Sequence, residues 1–438
     1  MTSVKIFFIV IIIILLGASQ SRESEYVICP GGDTLNIRSG PGLDYKIISQ
    51  IKESQKLKFL SEKKDWYEIE LNDGRRGWIF APLVSLSSSE QNWPCYRGNS
   101  EHTGSVNNTS IISGKEKWSL SLKSKISFTS SPVFMKGKIY TGADNGRIYC
   151  IDGEKGKIDW YFQGESPVMS TPAIDEKKLY FESEDGMVYA INISSGEKIW
   201  SFLRDAGSSG YSPLITDDKL IYIPGQMNKS LYAITSDKGT VKWKFSLEDT
   251  LSCPCFSEET ICFGSSGGKV YCLDKEKGNV KWKTDSGGCA GFTFSGENFI
   301  YSLSTGTESF NEGDNILYAL DKLTGEKKWS FKFNSPIFIP VLIEDKIYAG
   351  SYDKKLYVID GISGKELLAM KNETWPVSLA ASPGVIYVGL YDGTLYALEL
   401  NTWKQLWSLK FDSIISGLCL SGNSLYISTE NGKICALE

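Results

Sequence analysis

One spacing constrains this chain more than any other feature: a fixed step of eleven residues from a Tyr to a Trp. It reads Tyr318-Ala319-Leu320-Asp321-Lys322-Leu323-Thr324-Gly325-Glu326-Lys327-Lys328-Trp329. The same step separates Tyr149 from Trp160, Tyr189 from Trp200, Tyr232 from Trp243, Tyr271 from Trp282 and Tyr396 from Trp407, while Leu368 replaces the Trp after Tyr357. Residues at the Trp position recur about every 40 residues, a period that belongs to repeat architectures.

Each copy reads as a hairpin. Runs such as Arg147-Ile148-Tyr149-Cys150-Ile151 are short, rich in β-branched and aromatic residues, and nearly continuously apolar, as expected of strands covered on both faces. An Asp, Asn or Thr follows, and then usually a Gly four positions later (Gly156, Gly196, Gly239, Gly278, Gly325, Gly364). Asx side chains close tight turns and Gly supplies positive φ. A third strand lies upstream (Lys138-Ile139-Tyr140, Lys346-Ile347-Tyr348), and a fourth is often opened by Pro132, Pro172, Pro254 or Pro340, which suits a sheet edge. Four strands per 40 residues predict one propeller blade.

The two ends decide between ring and open stack. Gly114-Lys115-Glu116-Lys117-Trp118-Ser119-Leu120 is a Trp strand with no Tyr strand before it, and Gly432-Lys433-Ile434-Cys435-Ala436-Leu437-Glu438 is a Tyr-type strand with no Trp strand after it. Pairing them completes an eighth blade and removes two open edges. The expectation is an all-β chain whose residues 114–438 form an eight-bladed β-propeller, closed as a monomer.

Residues 1–21 read as an export signal: Lys5, the apolar run Ile6 to Leu16, then Gly17-Ala18-Ser19. Eleven apolar residues fall short of the roughly 20 that span a bilayer, and no Cys follows closely enough for a lipid anchor. The protein is therefore expected in the periplasm or outside the cell. Residues 26–86 carry Leu35-Asn36-Ile37-Arg38-Ser39-Gly40-Pro41-Gly42, Trp66-Tyr67-Glu68-Ile69 and Gly77-Trp78-Ile79-Phe80, short alternating strands with Gly/Pro turns that predict a small β-barrel. This stretch resembles the bacterial SH3 (SH3b) family throughout, which implies cell-wall peptide binding or targeting. Trp66 and Trp78 are equally well explained as core.

Residues 87–113 are polar and read as a linker into the propeller. Within them lies Trp93-Pro94-Cys95-Tyr96-Arg97-Gly98-Asn99-Ser100-Glu101-His102-Thr103-Gly104, which resembles the segment that leads into propellers of the pyrroloquinoline-quinone (PQQ) repeat superfamily. The Ala319-x-Asp321-x-x-x-Gly325-x-x-x-Trp329 pattern matches that superfamily's tryptophan-docking motif, in its BamB-like branch. The resemblance covers about residues 91–438. It implies that Trp118, Trp160, Trp200, Trp243, Trp282, Trp329 and Trp407 dock between neighbouring blades. Departures are Leu368 for Trp, Trp403 for Gly, and Asn192, Thr235 and Glu399 for Asp.

Little catalytic chemistry is on offer. The chain has one His, His102, in the linker, which disfavours a Ser-His-Asp triad and multi-His metal sites. The net charge is −5 with Lys and Arg scattered, so no basic stripe points to nucleic acid. Of ten cysteines, Cys150, Cys255, Cys262, Cys272, Cys419 and Cys435 occupy slots filled elsewhere by core residues. Cys253 and Cys289 fall on neighbouring blades and form a candidate disulfide. The family resemblance also raises PQQ and Ca²⁺ as cofactors, yet there is no Cys-Cys dipeptide and the turns are minimal. Only the 304–314 loop is long, and its Glu308, Glu312 and Asp314 are candidate ligands for a hard cation or simply a solvated acidic loop.

Three functions stay open: an exported non-enzymatic binding or scaffold protein of the cell envelope, a quinoprotein-type oxidoreductase, and an adhesin or sensor anchored through the SH3b unit. The partners expected for the first are envelope proteins, with peptidoglycan at the SH3b unit. In a blade the links between blades share a face with the turn between the second and third strands, and so with the 304–314 loop. That face collects the least repetitive residues, Arg204, Asp205, Tyr211, Phe310, Asn372, Glu373 and Trp375, which are candidates for partner binding.

Overall fold

A computed structural model describes residues 25–29, 35–51, 55–63, 66–71, 73–80, 85–88, 92–99, 102–105, 113–127, 130–204, 215–217, 219–225, 229–305, 315–338 and 340–438. The export signal read at 1–21 lies outside them. The chain divides into two compact units, residues 1–89 and 90–438.

In the first unit seven strands form one antiparallel sheet. It buries Val27, Leu35, Ile37, Ile51, Leu57, Ile69 and Ile79. Trp66 joins this interior at 7% exposure, whereas Trp78 is only half-buried. The Gly40-Pro41-Gly42 turn lies against the Tyr45 ring, where any Cβ at residue 40 would clash. Arg38 pins that loop by donating from Nη1 to the carbonyls of Leu43 and Tyr45, both at 2.7 Å.

In the second unit the described residues form eight four-stranded antiparallel sheets. In chain order these blades begin at Val133, Ala173, Ile215, Cys255, Cys289, Val341, Pro376 and Ile415. The third strand of a blade is buried on both faces, as in Arg147–Asp152, while the outer strand, as in Ile158–Gln163, turns alternate residues to solvent. This explains the nearly continuous apolar runs around each Tyr. The eighth sheet runs Ile415–Ser421, Ser424–Thr429, Lys433–Leu437 and then Glu116–Ser121, with Ala436 opposite Trp118. The inner strand Ile415–Ser421 packs against both Pro376–Ser382 and Val133–Met135, so the ring closes as the sequence predicts.

Docking of the tryptophans follows one rule. In every blade a bulge lies beside the Trp position on the outer strand, and the residue opposite is small in all but one: Cys150, Ala190, Ala233, Cys272, Ala319, Ala397 or Ala436. A bulge re-aims a side chain, and the small partner leaves room for the indole. Each indole then covers the turn Gly of the next blade, Trp329 over Gly364 and Trp118 over Gly156, so close that a Cβ there would clash. These glycines have positive φ, so turn geometry and close approach both demand them. The Trp329 Nε1–H and the Tyr301 hydroxyl both donate, at 3.0 Å, to the Gly361 carbonyl.

The sixth blade breaks the rule by exchange. Leu368 stands opposite Val358, and Trp403, at φ 61° in the seventh blade's turn, reaches back over Tyr348. Their ring centroids lie 6.2 Å apart, against 5.9 Å for Tyr301 and Trp329. The indole is therefore present at this interface, supplied from the other side. The Tyr348 hydroxyl is buried without a partner.

Two expectations about cysteines need correction. Cys262 and Cys272, read from sequence as separate core residues, are cross-strand partners joined in a disulfide. Cys253 and Cys289, the candidate pair, are separate thiols; the Cys253 Sγ lies 3.7 Å from His102 Nδ1.

Candidate partner-docking face and central channel

The turn between second and third strands leans on the link entering the same blade. Glu184 N–H donates to Pro167 O at 2.8 Å, Tyr352 N–H to Pro336 O at 3.0 Å, and Tyr391 N–H to Trp375 O at 2.9 Å. Links and these turns thus share one face, as the sequence reading requires. In the first, second and eighth blades the second position of that turn is acidic (Asp144, Glu184, Glu430), whereas blades six and seven carry Tyr352 and Tyr391. Both tyrosines are 46% exposed. They form a continuous row with two link residues: Phe338 to Tyr352 at 4.5 Å, Tyr352 to Trp375 at 5.3 Å, and Trp375 to Tyr391 at 4.9 Å between ring centroids.

Of the residues singled out from sequence, Trp375 sits inside this row, and exposed Glu373 stands two residues before it. Asn372 serves the fold: its Oδ1 accepts from the Tyr396 hydroxyl and its N–H donates to Lys354 O. Arg204 is not on the surface. It is 4% exposed and paired with Glu182, itself fully buried, so it offers nothing to a partner. Burial outweighs the guanidinium and pushes the Glu182 carboxyl up to about 7. Asp205, Tyr211 and Phe310, and the cation candidates Glu308, Glu312 and Asp314, lie outside the described residues. Phe338, Tyr352 and Tyr391 escaped the sequence reading. Aligning the turns would have found the two tyrosines, since an aromatic there answers no demand of turn geometry.

The segment read as a linker is built into the propeller. Trp93 exchanges two backbone hydrogen bonds with Phe134 of the first blade, and Pro94 O accepts from Ile174 of the second. Thr103 O accepts from Leu342 of the sixth blade and Gly104 O from Ala381 of the seventh. Residues 93–99 and 102–105 therefore lie against inner strands on both sides of the ring. His102 is fully buried, stacked on Phe292 at 6.1 Å, and burial together with nearby Arg97 lowers it to about 3. It stays neutral and structural.

Trp93, Tyr96 and Arg97 of this segment line a cavity of about 60 Å³, room for a few waters.

Comparison with known proteins agrees with this architecture. The family described as outer membrane protein assembly factor BamB matches over residues 102–249 and 227–438, and the bacterial SH3 domain family matches over 33–85. A curated relative, the putative N-acetylmuramoyl-L-alanine amidase YrvJ of Bacillus subtilis (strain 168), is 32% identical over 89 residues, 18% of this chain and 17% of that protein. The chain thus spans less than a fifth of the relative it matches. Among solved structures, BamB from Moraxella catarrhalis is similar with a TM-score of 0.61 and 15% identity, over 74% of this chain and 99% of that one. The quinohemoprotein alcohol dehydrogenase from Comamonas testosteroni gives 0.63 and 14%, over 79% and 80%. The computationally designed Ika8 protein gives 0.65 and 18%, over 74% and 99%. These three likenesses show the fold alone. With its propeller matched almost end to end by one family, the chain belongs to the outer membrane protein assembly factor BamB family and carries a bacterial SH3 domain ahead of the propeller.

Proposed function

We propose that this protein is an exported, non-enzymatic scaffold of the cell envelope, in which the propeller docks a protein partner and the SH3 unit holds the wall. The observation that carries the reading is the row Phe338, Tyr352, Trp375 and Tyr391, four aromatic rings in contact on the link face, with its two tyrosines nearly half exposed. Aromatic side chains dominate interface hot spots, and these four are not needed to close their turns. For the SH3 unit, Leu43, Tyr45 and Ile47 at 74%, 49% and 41% exposure supply an apolar contact beside the Arg38-braced loop, and the amidase relative favours a wall ligand.

Two experiments test the two halves. A photo-crosslinking residue at Tyr391 should trap a discrete envelope protein, while the same residue at Lys238, on the opposite turns, should not. Equal trapping at both positions overturns the docking face. Sedimentation with purified peptidoglycan should require residues 26–86, and sedimentation of the chain lacking them overturns the wall reading.

A further inference from the structure

The cavity beside residues 93–97 has an unusual lining. Arg97, at 8% exposure, donates from Nη1 to Leu379 O at 2.9 Å and from Nη2 to Pro340 O. No carboxylate among the described residues pairs with it, and its Nε–H has no partner. The indole Nε1–H of Trp93, at 1% exposure, also lacks a partner. Both side chains line the same space, together with Tyr96 and the serines Ser131, Ser378 and Ser416. Tyr96, Ser131 and Ser378 are only half-buried, so the space communicates with solvent.

Burying a cation with no counter-charge costs several kcal/mol, and an unmet buried donor adds to that. Two carbonyls satisfy part of the guanidinium's hydrogen bonding but leave its charge uncompensated. Desolvation lowers the Arg97 pKa to about 10, so the group stays cationic at neutral pH. The cavity therefore presents a fixed positive charge, a spare guanidinium N–H, a spare indole N–H and three hydroxyls, with no acidic side chain in its lining. Every one of these groups can donate to an oxyanion, and charge-assisted bonds of this kind are the strong ones.

We propose that the central channel holds a small oxyanion, of the size of acetate or inorganic phosphate, on Arg97 and Trp93. It is bound by the Arg97 charge and Nε–H and by the Trp93 Nε1–H, with the serine hydroxyls completing its shell. Occupancy would tie residues 93–97 to the first, seventh and eighth blades, because Ser131, Ser378 and Ser416 come from those blades or the links into them.

The test is isothermal titration of the full chain with sodium acetate and, separately, with sodium phosphate, at ionic strength held constant with chloride. One or both should give a saturable 1:1 isotherm together with a rise in Tm. Trp93→Phe, which removes one N–H and keeps the ring, should weaken that binding by about ten- to a hundredfold, the loss expected for one hydrogen bond to a charged group. Arg97→Gln should abolish it. Because Arg97 also joins the inner strands of the sixth and seventh blades, Trp93→Phe carries the test if Arg97→Gln does not fold. No saturable binding of either anion to the wild type overturns the proposal, as does an affinity unchanged in Trp93→Phe. Binding that emerges only in Glu101→Gln would assign the counter-charge to the chain itself and overturn it equally.

Discussion

The exchange of Leu368 and Trp403 makes a quantitative prediction about the interface between the sixth and seventh blades. An aromatic side chain buries about 150–250 Å² when fully enclosed; half-buried Trp403 covers about 100 Å², or about 2.5 kcal/mol at about 25 cal/mol per Å². Its left-handed backbone, φ 61°, costs about 1 kcal/mol that Gly would not incur. Trp403→Gly alone should therefore destabilise by about 1.5 kcal/mol. Leu368→Trp alone drives a second indole into an occupied slot, opposite Val358 where other blades carry Ala or Cys. Overpacking of this kind costs about 1–3 kcal/mol. The double variant returns the indole to the outer strand as in the other blades and should lie within about 1 kcal/mol of wild type, giving a coupling energy of about 2–4 kcal/mol. Urea denaturation of the four proteins measures the cycle, and hydrogen exchange of the amides in Val385–Leu390 localises it. Additivity within about 0.5 kcal/mol would refute the exchange.

Deleting residues 433–438 removes the strand between Ser424–Thr429 and Glu116–Ser121, so Trp118 loses its support and Tm should fall by well over 5 °C; an unchanged Tm would refute closure through this pairing. Arg204→Ala leaves the Glu182 carboxyl buried and alone, which should cost about 3–5 kcal/mol; a stability change below about 1 kcal/mol would return Arg204 to the surface. The raised Glu182 pKa means that the folded state holds the extra proton between that group's ordinary value and about 7. Its contribution to stability is therefore full at acid pH and declines as pH rises through that window, by at most about 1.4 kcal/mol per pH unit. Glu182→Gln should remove this component of a pH series of urea melts, and an identical slope in the variant would count against it.

Much of the propeller is legible in the sequence because each blade repeats the same local demands. The Tyr-to-Trp step sets the hairpin, Asp321 caps its turn through N–H donors of Leu323 and Thr324 at 3.0 Å, and Gly325 answers both φ and the neighbouring indole. What depends on one blade meeting another is harder to read. Leu368 and Trp403 are each visible as departures, but only the fold shows that they compensate. Glu182 occupies a position that is Gly142, Gly264, Gly350 and Gly389 in other blades, a departure that would have pointed to Arg204 as its buried counterpart. Lacking that pairing, a polar residue on a link reads as surface. The segment around Trp93 and Thr103 is opaque for the same reason, since Thr103 and Gly104 meet inner strands more than 200 residues along the chain.

Closure places the two halves of one eleven-residue motif at opposite ends of the propeller's chain. Ser113 Oγ–H donates to Glu438 O across 325 residues, and Lys115 and Glu438 exchange backbone hydrogen bonds. During synthesis the Trp118 strand emerges more than 300 residues ahead of its partner, Lys433–Leu437. Loop-closure entropy for such a contact must be met before any reward from the eighth sheet, and long-range strand pairing is slow for that reason. Until then the first and seventh blades expose unpaired flanks, so the nascent chain passes through a stage open to misassembly with its own copies. The ring is complete only when Lys433–Leu437 sits between Ser424–Thr429 and Glu116–Ser121, and a chain ending before residue 433 lacks that strand.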